Sequence, residues 1–238
     1  MSPHTTTADD IGEATARLLL EAGAVRVSHG QPFVLAAGWA SPVYVDCRLL
    51  IGQPGWRRRA TELAAAAVEQ RLAPGRIQAI AGAETAGIPF AAWLADRLEL
   101  PLRYVRKRPL GIGHNAQVEG GPVDGLDVLL MDDLTTDAGS KIGFARGLRA
   151  AGATVTQALT IFYHRVFPGA DERLARDGLT LHALASWDDI LRADRGQWLS
   201  PGDRDAIELF LADPVAWSTR HGGRSAPGPR PAVRRESY

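Results

Sequence analysis

Asp132 and Asp133 stand side by side at the end of an apolar run, Val128 to Met131, and the turn after them holds Thr135, Thr136, Asp137, Ala138, Gly139 and Ser140. Adjacent carboxylates can accept hydrogen bonds from neighbouring sugar hydroxyls, or hold a hydrated Mg²⁺ ion, and Asp132 and Asp133 are the candidate ligands for that ion. A small, hydroxyl-rich turn that leads into a helix presents backbone N–H groups to a phosphate. Residue types and order together suit a phosphorylated sugar. The plainer alternative is a capped turn whose acids only offset the helix dipole. The acid pair alone favours that alternative; the whole string after a buried strand favours the ligand site. The common nucleotide-binding patterns are absent: there is no G-x-x-x-x-G-K followed by Ser or Thr, and no G-x-G-x-x-G after a strand.

Such groups need a scaffold, and the chain has room for one. It has 238 residues with 27 basic and 27 acidic side chains, enough for one domain with a sizeable core. A formal charge of zero offers no bulk attraction for nucleic acid or an anionic membrane. The single cysteine, Cys47, excludes an intramolecular disulfide and a cysteine-based zinc cluster. No apolar run reaches the roughly 20 residues of a membrane span, and the N-terminus lacks a basic start before an apolar core. A cytoplasmic protein is expected.

Apolar periodicity gives helices over 8–22, 55–72, 87–99 and 140–152, and strands over 77–83, 102–107, 126–131 and 154–165. Helices near 169–177 and 201–213 and a strand over 179–185 follow. The order predicts an α/β domain with a central, mostly parallel sheet of about five strands flanked by helices. Residues 24–52, punctuated by Gly and Pro, read as a small N-terminal hood outside that sheet. The domain is expected to end at 217, and 218–238, rich in Pro, Gly and Arg, to be a disordered tail. The tail carries one acid, Glu236, and no aromatic residue but Tyr238, so nucleic acid is not an expected partner.

The string VLLMDDLTTDAGS resembles the phosphoribosyl-diphosphate (PRPP) binding motif of type I phosphoribosyltransferases. Three more segments, in the family's order over about residues 10–165, narrow the resemblance to orotate phosphoribosyltransferases. PFVLAAGWASPVYVDCRLL is similar to the hood over the base, GAETAGIPFAAWLADRL to the diphosphate loop and its helix, and YVRKRPLGIGHNAQVEG to the mobile catalytic loop. The resemblance implies transfer of the 5-phosphoribosyl group from PRPP to orotate, giving orotidine 5-phosphate and diphosphate in pyrimidine synthesis. It also implies Mg²⁺ as cofactor and a homodimer in which the mobile loop, 107–120, reaches the neighbouring subunit's site.

Roles carry over by position. Asp132 and Asp133 match the acids on the ribose 2- and 3-hydroxyls, and Thr135 to Ser140 match the 5-phosphate loop. Glu84, Thr85, Ala86 and Gly87 match the diphosphate loop, and Arg106 and Lys107 the cations that contact diphosphate. Phe33, Ser41, Pro42 and Tyr44 lie in the hood-like segment; Phe33, Tyr44, Thr136 and Arg165 are the candidates for the base, Arg165 for its carboxylate.

Four positions depart from the pattern. Leu110 stands where the mobile loop usually carries a second cation. An apolar side chain cannot stabilise departing diphosphate, and each roughly 1.4 kcal/mol lost is tenfold in rate. Arg108 or His114 could substitute, His114 only partly protonated at neutral pH. Ala138 stands where the phosphate loop usually has Gly; a positive φ would strain it by about 1 kcal/mol. Ala36 and Trp39 replace the Lys and Arg of many relatives. These departures leave three options: a slower orotate enzyme, a phosphoribosyltransferase for another heterocyclic base, or a PRPP-binding regulatory protein with little catalysis.

Overall fold

The computed structural model describes residues 8–72, 74–109 and 117–226; Leu110 and His114, and the tail from 227, lie outside them. Along these residues run α1 (Ala8–Glu21), β1 (Val25–Val27), β2 (Phe33–Val34), β3 (Ala40–Ser41), β4 (Val43–Val45), α2 (Leu49–Gly52) and α3 (Pro54–Arg71). The centre of the chain gives β5 (Ala79–Ala83), α4 (Gly87–Arg97), β6 (Leu102–Val105), β7 (Val118–Glu119), β8 (Asp127–Thr135), α5 (Gly139–Ala150) and β9 (Thr154–Tyr163). The last third gives α6 (Ala170–Arg176), β10 (Thr180–Ala185), α7 (Trp187–Asp194), α8 (Pro201–Ala212) and α9 (Pro214–Arg220).

The near-continuous apolar runs of β5, β8 and β9 alternate between two cores. Ala79, Ala81, Val128, Leu130, Val155 and Ala158 pack on one side; Ile80, Leu129, Met131, Leu159 and Ile161 pack on the other. That is how a strand buried on both faces reads. Helix α5 closes the first side through Ile142, Phe144 and Leu148. Helices α1, α3, α4 and α7 close the second through Leu18, Ala64, Leu94 and Ile190.

The sheet runs in the order β10-β9-β8-β5-β6-β7. Every neighbouring pair is parallel except β6 and β7. Among the described residues it has six strands, and β7 forms where residue pattern predicts only loop. Its two residues, Val118 and Glu119, pair with Val105 and Tyr104, too few to show an alternation. From β5 the chain crosses through α4 to β6, and from β8 through α5 to β9 on the opposite side. The chain therefore diverges between the carboxyl ends of β5 and β8, where an open α/β sheet forms its ligand crevice.

The hood is two antiparallel ribbons, β1 with β4 and β2 with β3. The C-terminal segment packs against it, and here the expected boundary at 217 needs correction. Helix α9 continues to Arg220, Ser218 is fully buried, and residues to 226 are described. Polar docking, with the Ala40 N–H donating to Ser218 Oγ at 3.0 Å, takes the place of the apolar periodicity that the sequence lacks. Helix α7 is not among the expected elements; Ser186 and Asp189 close a capping box at its start. Among the described residues no helix is long and apolar enough to cross a membrane.

Candidate active site

Strand β8 does not end at the acids, as its apolar run suggested, but carries them on to Thr135. Its partner β9 is equally long there, pairing Asp132 with Thr160, Leu134 with Phe162 and Thr135 with Tyr163. The backbone is thus satisfied by a neighbour although the side chains have turned polar.

The Oδ2 atom of Asp132 lies 2.6 Å from Nζ of Lys141, with side-chain exposures of 10% and 5%. Lys141 stands on the first turn of α5 and reaches back, donating also to the Leu134 carbonyl. Oδ1 of Asp132 accepts the Asp133 N–H at 2.9 Å. Burial, followed by the charge of Asp132, pushes the Asp133 carboxyl up to about 7; Lys141 and the Leu134 N–H oppose that rise.

Beyond the acids, Asp137 Oδ1 accepts the Gly139 N–H at 3.2 Å, and Arg173 of α6 donates to the Asp137 carbonyl at 2.5 Å. Ala138 has φ 63° and ψ −5°, so the strain expected for a non-glycine residue applies. The ladder of α5 starts with the Ile142 N–H on the Ala138 carbonyl. The N–H groups of Ser140 and Lys141 precede it and face no intrahelical acceptor. That end of α5 can bind an anion.

Across the crevice, Glu84 Oε2 accepts the Lys107 N–H at 2.7 Å, and the Glu84–Thr85 peptide is cis. A Cβ on Gly87 would stand 2.5 Å from the Met131 carbonyl oxygen and 2.9 Å from Asp132 Cα. Only glycine lets the start of α4 approach β8 this closely.

These parts meet in a cavity of about 750 Å³. Of the expected residues, Tyr44, Glu84, Thr85, Ala86, Lys107, Asp132, Asp133, Thr136, Asp137 and Ser140 line it. Thr135 is buried beside β9. Phe33 packs behind Tyr44, ring centroids 5.5 Å apart. Arg106 turns to Glu119 at 3.1 Å and to the Tyr104 hydroxyl at 3.1 Å, away from the cavity lining. Arg165 is not brought to the acid pair. It lies exposed over the Tyr163 ring at 5.7 Å and lines a separate cavity with Arg71 and His182. Its φ of 51° marks a turn directly after β9, which strand periodicity alone does not reveal.

Three charged lining residues are not among the expected ones: Lys141, Asp46 and Arg48. Asp46 accepts from Arg48 at 2.6 and 2.9 Å, and Arg48 donates to the Tyr44 hydroxyl at 3.0 Å. A lysine in a first helical turn opposes the macrodipole, and that mismatch was the available signal for Lys141.

Among the described residues no group of three or more His, Cys, Asp or Glu is placed to hold a metal ion. Asp132 is already engaged by Lys141. This donor set fits Mg²⁺ that keeps its waters and takes substrate oxygens, and does not fit a protein cage.

A family model described as a phosphoribosyl transferase domain matches residues 52–190. Orotate phosphoribosyltransferase of Ruegeria sp. is 45% identical over 211 residues, 88% of this chain and 93% of that protein. The protein of the same name from Rhizobium rhizogenes is 44% identical, over 90% of this chain and 92% of the relative. Among solved structures, orotate phosphoribosyltransferase of Aeropyrum pernix superposes with a TM-score of 0.64 at 38% identity, covering 74% of this chain and 96% of that one. UMP synthase of Leishmania donovani gives a TM-score of 0.71 at 25% identity; the match covers 84% of this chain and 42% of that longer chain.

Proposed function

This chain belongs to the orotate phosphoribosyltransferase family, and on that premise we propose that it transfers the 5-phosphoribosyl group of PRPP to orotate. The products are orotidine 5-phosphate and diphosphate, in pyrimidine synthesis. The observation that carries this reading is the single cavity joining the acid pair and phosphate turn of β8–α5 to the Glu84–Thr85–Ala86 turn and to Tyr44.

The division of labour follows from that arrangement. The Ser140 hydroxyl and the first N–H groups of α5 bind the 5-phosphate. Asp132, steadied by Lys141, and Asp133 accept hydrogen bonds from the ribose hydroxyls and hold the ring. The diphosphate lies toward Lys107 and the Thr85–Gly87 turn, and the base toward Tyr44 and the hood. The bond from ribose to diphosphate breaks as the base nitrogen approaches, and a ring held between the two contributes positioning above all. Lys107 stabilises the charge that builds on the leaving diphosphate. Mg²⁺, when bound, neutralises diphosphate charge; Asp132 and Asp133 are the residues that would hold it. The reading includes a cytoplasmic homodimer, and Arg106, turned away from its own chain's cavity, suits a partner's site.

The test is diphosphate release by the purified protein with PRPP and Mg²⁺, in the presence of orotate or a panel of other bases, beside Leu110→Lys. Turnover with orotate supports the reading, and turnover with another base alone changes the substrate. PRPP binding without turnover removes the catalytic assignment, and recovery in Leu110→Lys would identify the missing cation as the cause.

A further inference from the structure

The mechanism leaves the segment after α9 without a task, yet it is tied to the turn that brings Ala36 and Ala37 to the cavity wall. Ser218 Oγ accepts the Ala40 N–H at 3.0 Å and donates to the Arg224 carbonyl at 2.8 Å. A Cβ on Gly223 would stand 2.3 Å from the Ala40 nitrogen, so the segment lies flat against the hood only because that residue is glycine. Arg224 then follows the turn. Its N–H donates to the Gly38 carbonyl at 3.1 Å and its Nη1 to the Ala37 carbonyl at 3.0 Å. Its guanidinium lies 5.4 Å from the centroid of the buried Trp39 ring, and Trp39 stacks on Phe167 at 4.6 Å.

The turn makes two hydrogen bonds of its own, Leu35 N–H to the Trp39 carbonyl and Gly38 N–H to the Leu35 carbonyl. The holds on the Ala37 carbonyl, the Gly38 carbonyl and the Ala40 N–H come from 178 to 187 residues away in sequence. A two-residue ribbon such as β2–β3 cannot fix its own turn, since isolated short hairpins are marginal. Alanine at 36 and 37 also leaves no long side chain to reach a ligand, so the position of the backbone itself defines the wall.

We propose that residues 218–224 form a clasp that positions the hood turn against the substrate base, with Arg224 as its principal positioning residue. The inference rests on the reading that the hood half of the cavity receives the base. It separates the two substrates: loosening the clasp shifts the base wall and leaves the PRPP-binding strand and helix untouched.

The experiment is steady-state kinetics of Arg224→Ala, Arg224→Lys and a chain ending after Gly222, each against both substrates, with hydrogen exchange at the Gly38 and Ala40 amides. The expected result is a five- to tenfold higher KM for orotate in Arg224→Ala and in the truncated chain, with KM for PRPP changed less than twofold. Arg224→Lys, which keeps the charge but loses the fork, should recover part of the loss, and exchange at Ala40 should quicken in the truncated chain. An unchanged KM for orotate, or equal rises for both substrates, overturns the clasp. Should Arg224→Ala not fold, Arg224→Gln carries the same test. Failure of the native protein to turn over orotate would instead overturn the functional reading, and that control is run first.

Discussion

The two halves of the cavity are built by different means. The ribose-phosphate part of the PRPP half is one stretch of chain, β8 running into α5, set on a central strand whose two faces are both packed. The base half is gathered from two- and three-residue strands, from the Asp46–Arg48 pair, and from a segment near the other end of the chain. Local hydrogen bonding sets the first, while contacts between distant residues set the second. Geometry that is built locally survives changes elsewhere; geometry assembled from afar can be shifted by residues that never meet the substrate.

The change that would strain this contrast most is Lys141→Met. It leaves Asp132 buried without its partner, and breaking a buried pair costs about 3–5 kcal/mol. The expected outcome is a fall in kcat/KM for PRPP of the order of 100-fold or more, with KM for orotate little changed, measured by initial rates in both substrates. A comparable rise in both KM values would mean that the halves are not separable.

A second prediction concerns the floor beneath the base half. His164 is fully buried, and its Nδ1 accepts from the Trp187 indole N–H at 3.1 Å. Burial pushes its imidazole down to about 3. The unfolded chain therefore takes up a proton below about 6.5 that the folded chain refuses, so stability is lost as pH falls through that range and is unaffected above it. Urea unfolding should show about 2 kcal/mol less stability at pH 5 than at pH 7.5 from this group. The His164→Phe variant should lack that part of the slope, and an unchanged slope would assign it to other groups.

The smallest effect is expected within the PRPP half. Ala138→Gly relieves the left-handed backbone but frees the unfolded chain and removes a buried methyl, so the net gain should be no more than about 1 kcal/mol. Thermal unfolding measures it, and a larger gain would show Ala138 to be a real strain in the native loop.

The same contrast explains how much could be read from sequence. The strand, the acid pair and the phosphate turn were legible because apolar alternation and residue type coincide within one stretch. Gly87 was legible as part of a motif, though its reason, the approach to Met131 and Asp132, needed the fold. Lys141 was hidden because its partner lies nine residues back, around a turn. The clasp was hidden because a segment of Pro, Gly and Arg carries no periodicity and docks by hydrogen bonds. Arg165 matched by position, yet its side chain lies over Tyr163.

The most direct test of the account is formation of orotidine 5-phosphate from PRPP and orotate by the native chain beside an Asp132→Asn, Asp133→Asn double variant whose folding is checked by cooperative unfolding. Turnover by the native protein and a loss of the order of 1,000-fold in a folded variant are expected. Turnover that survives removal of both carboxylates, or native turnover with a different base alone, would contradict it.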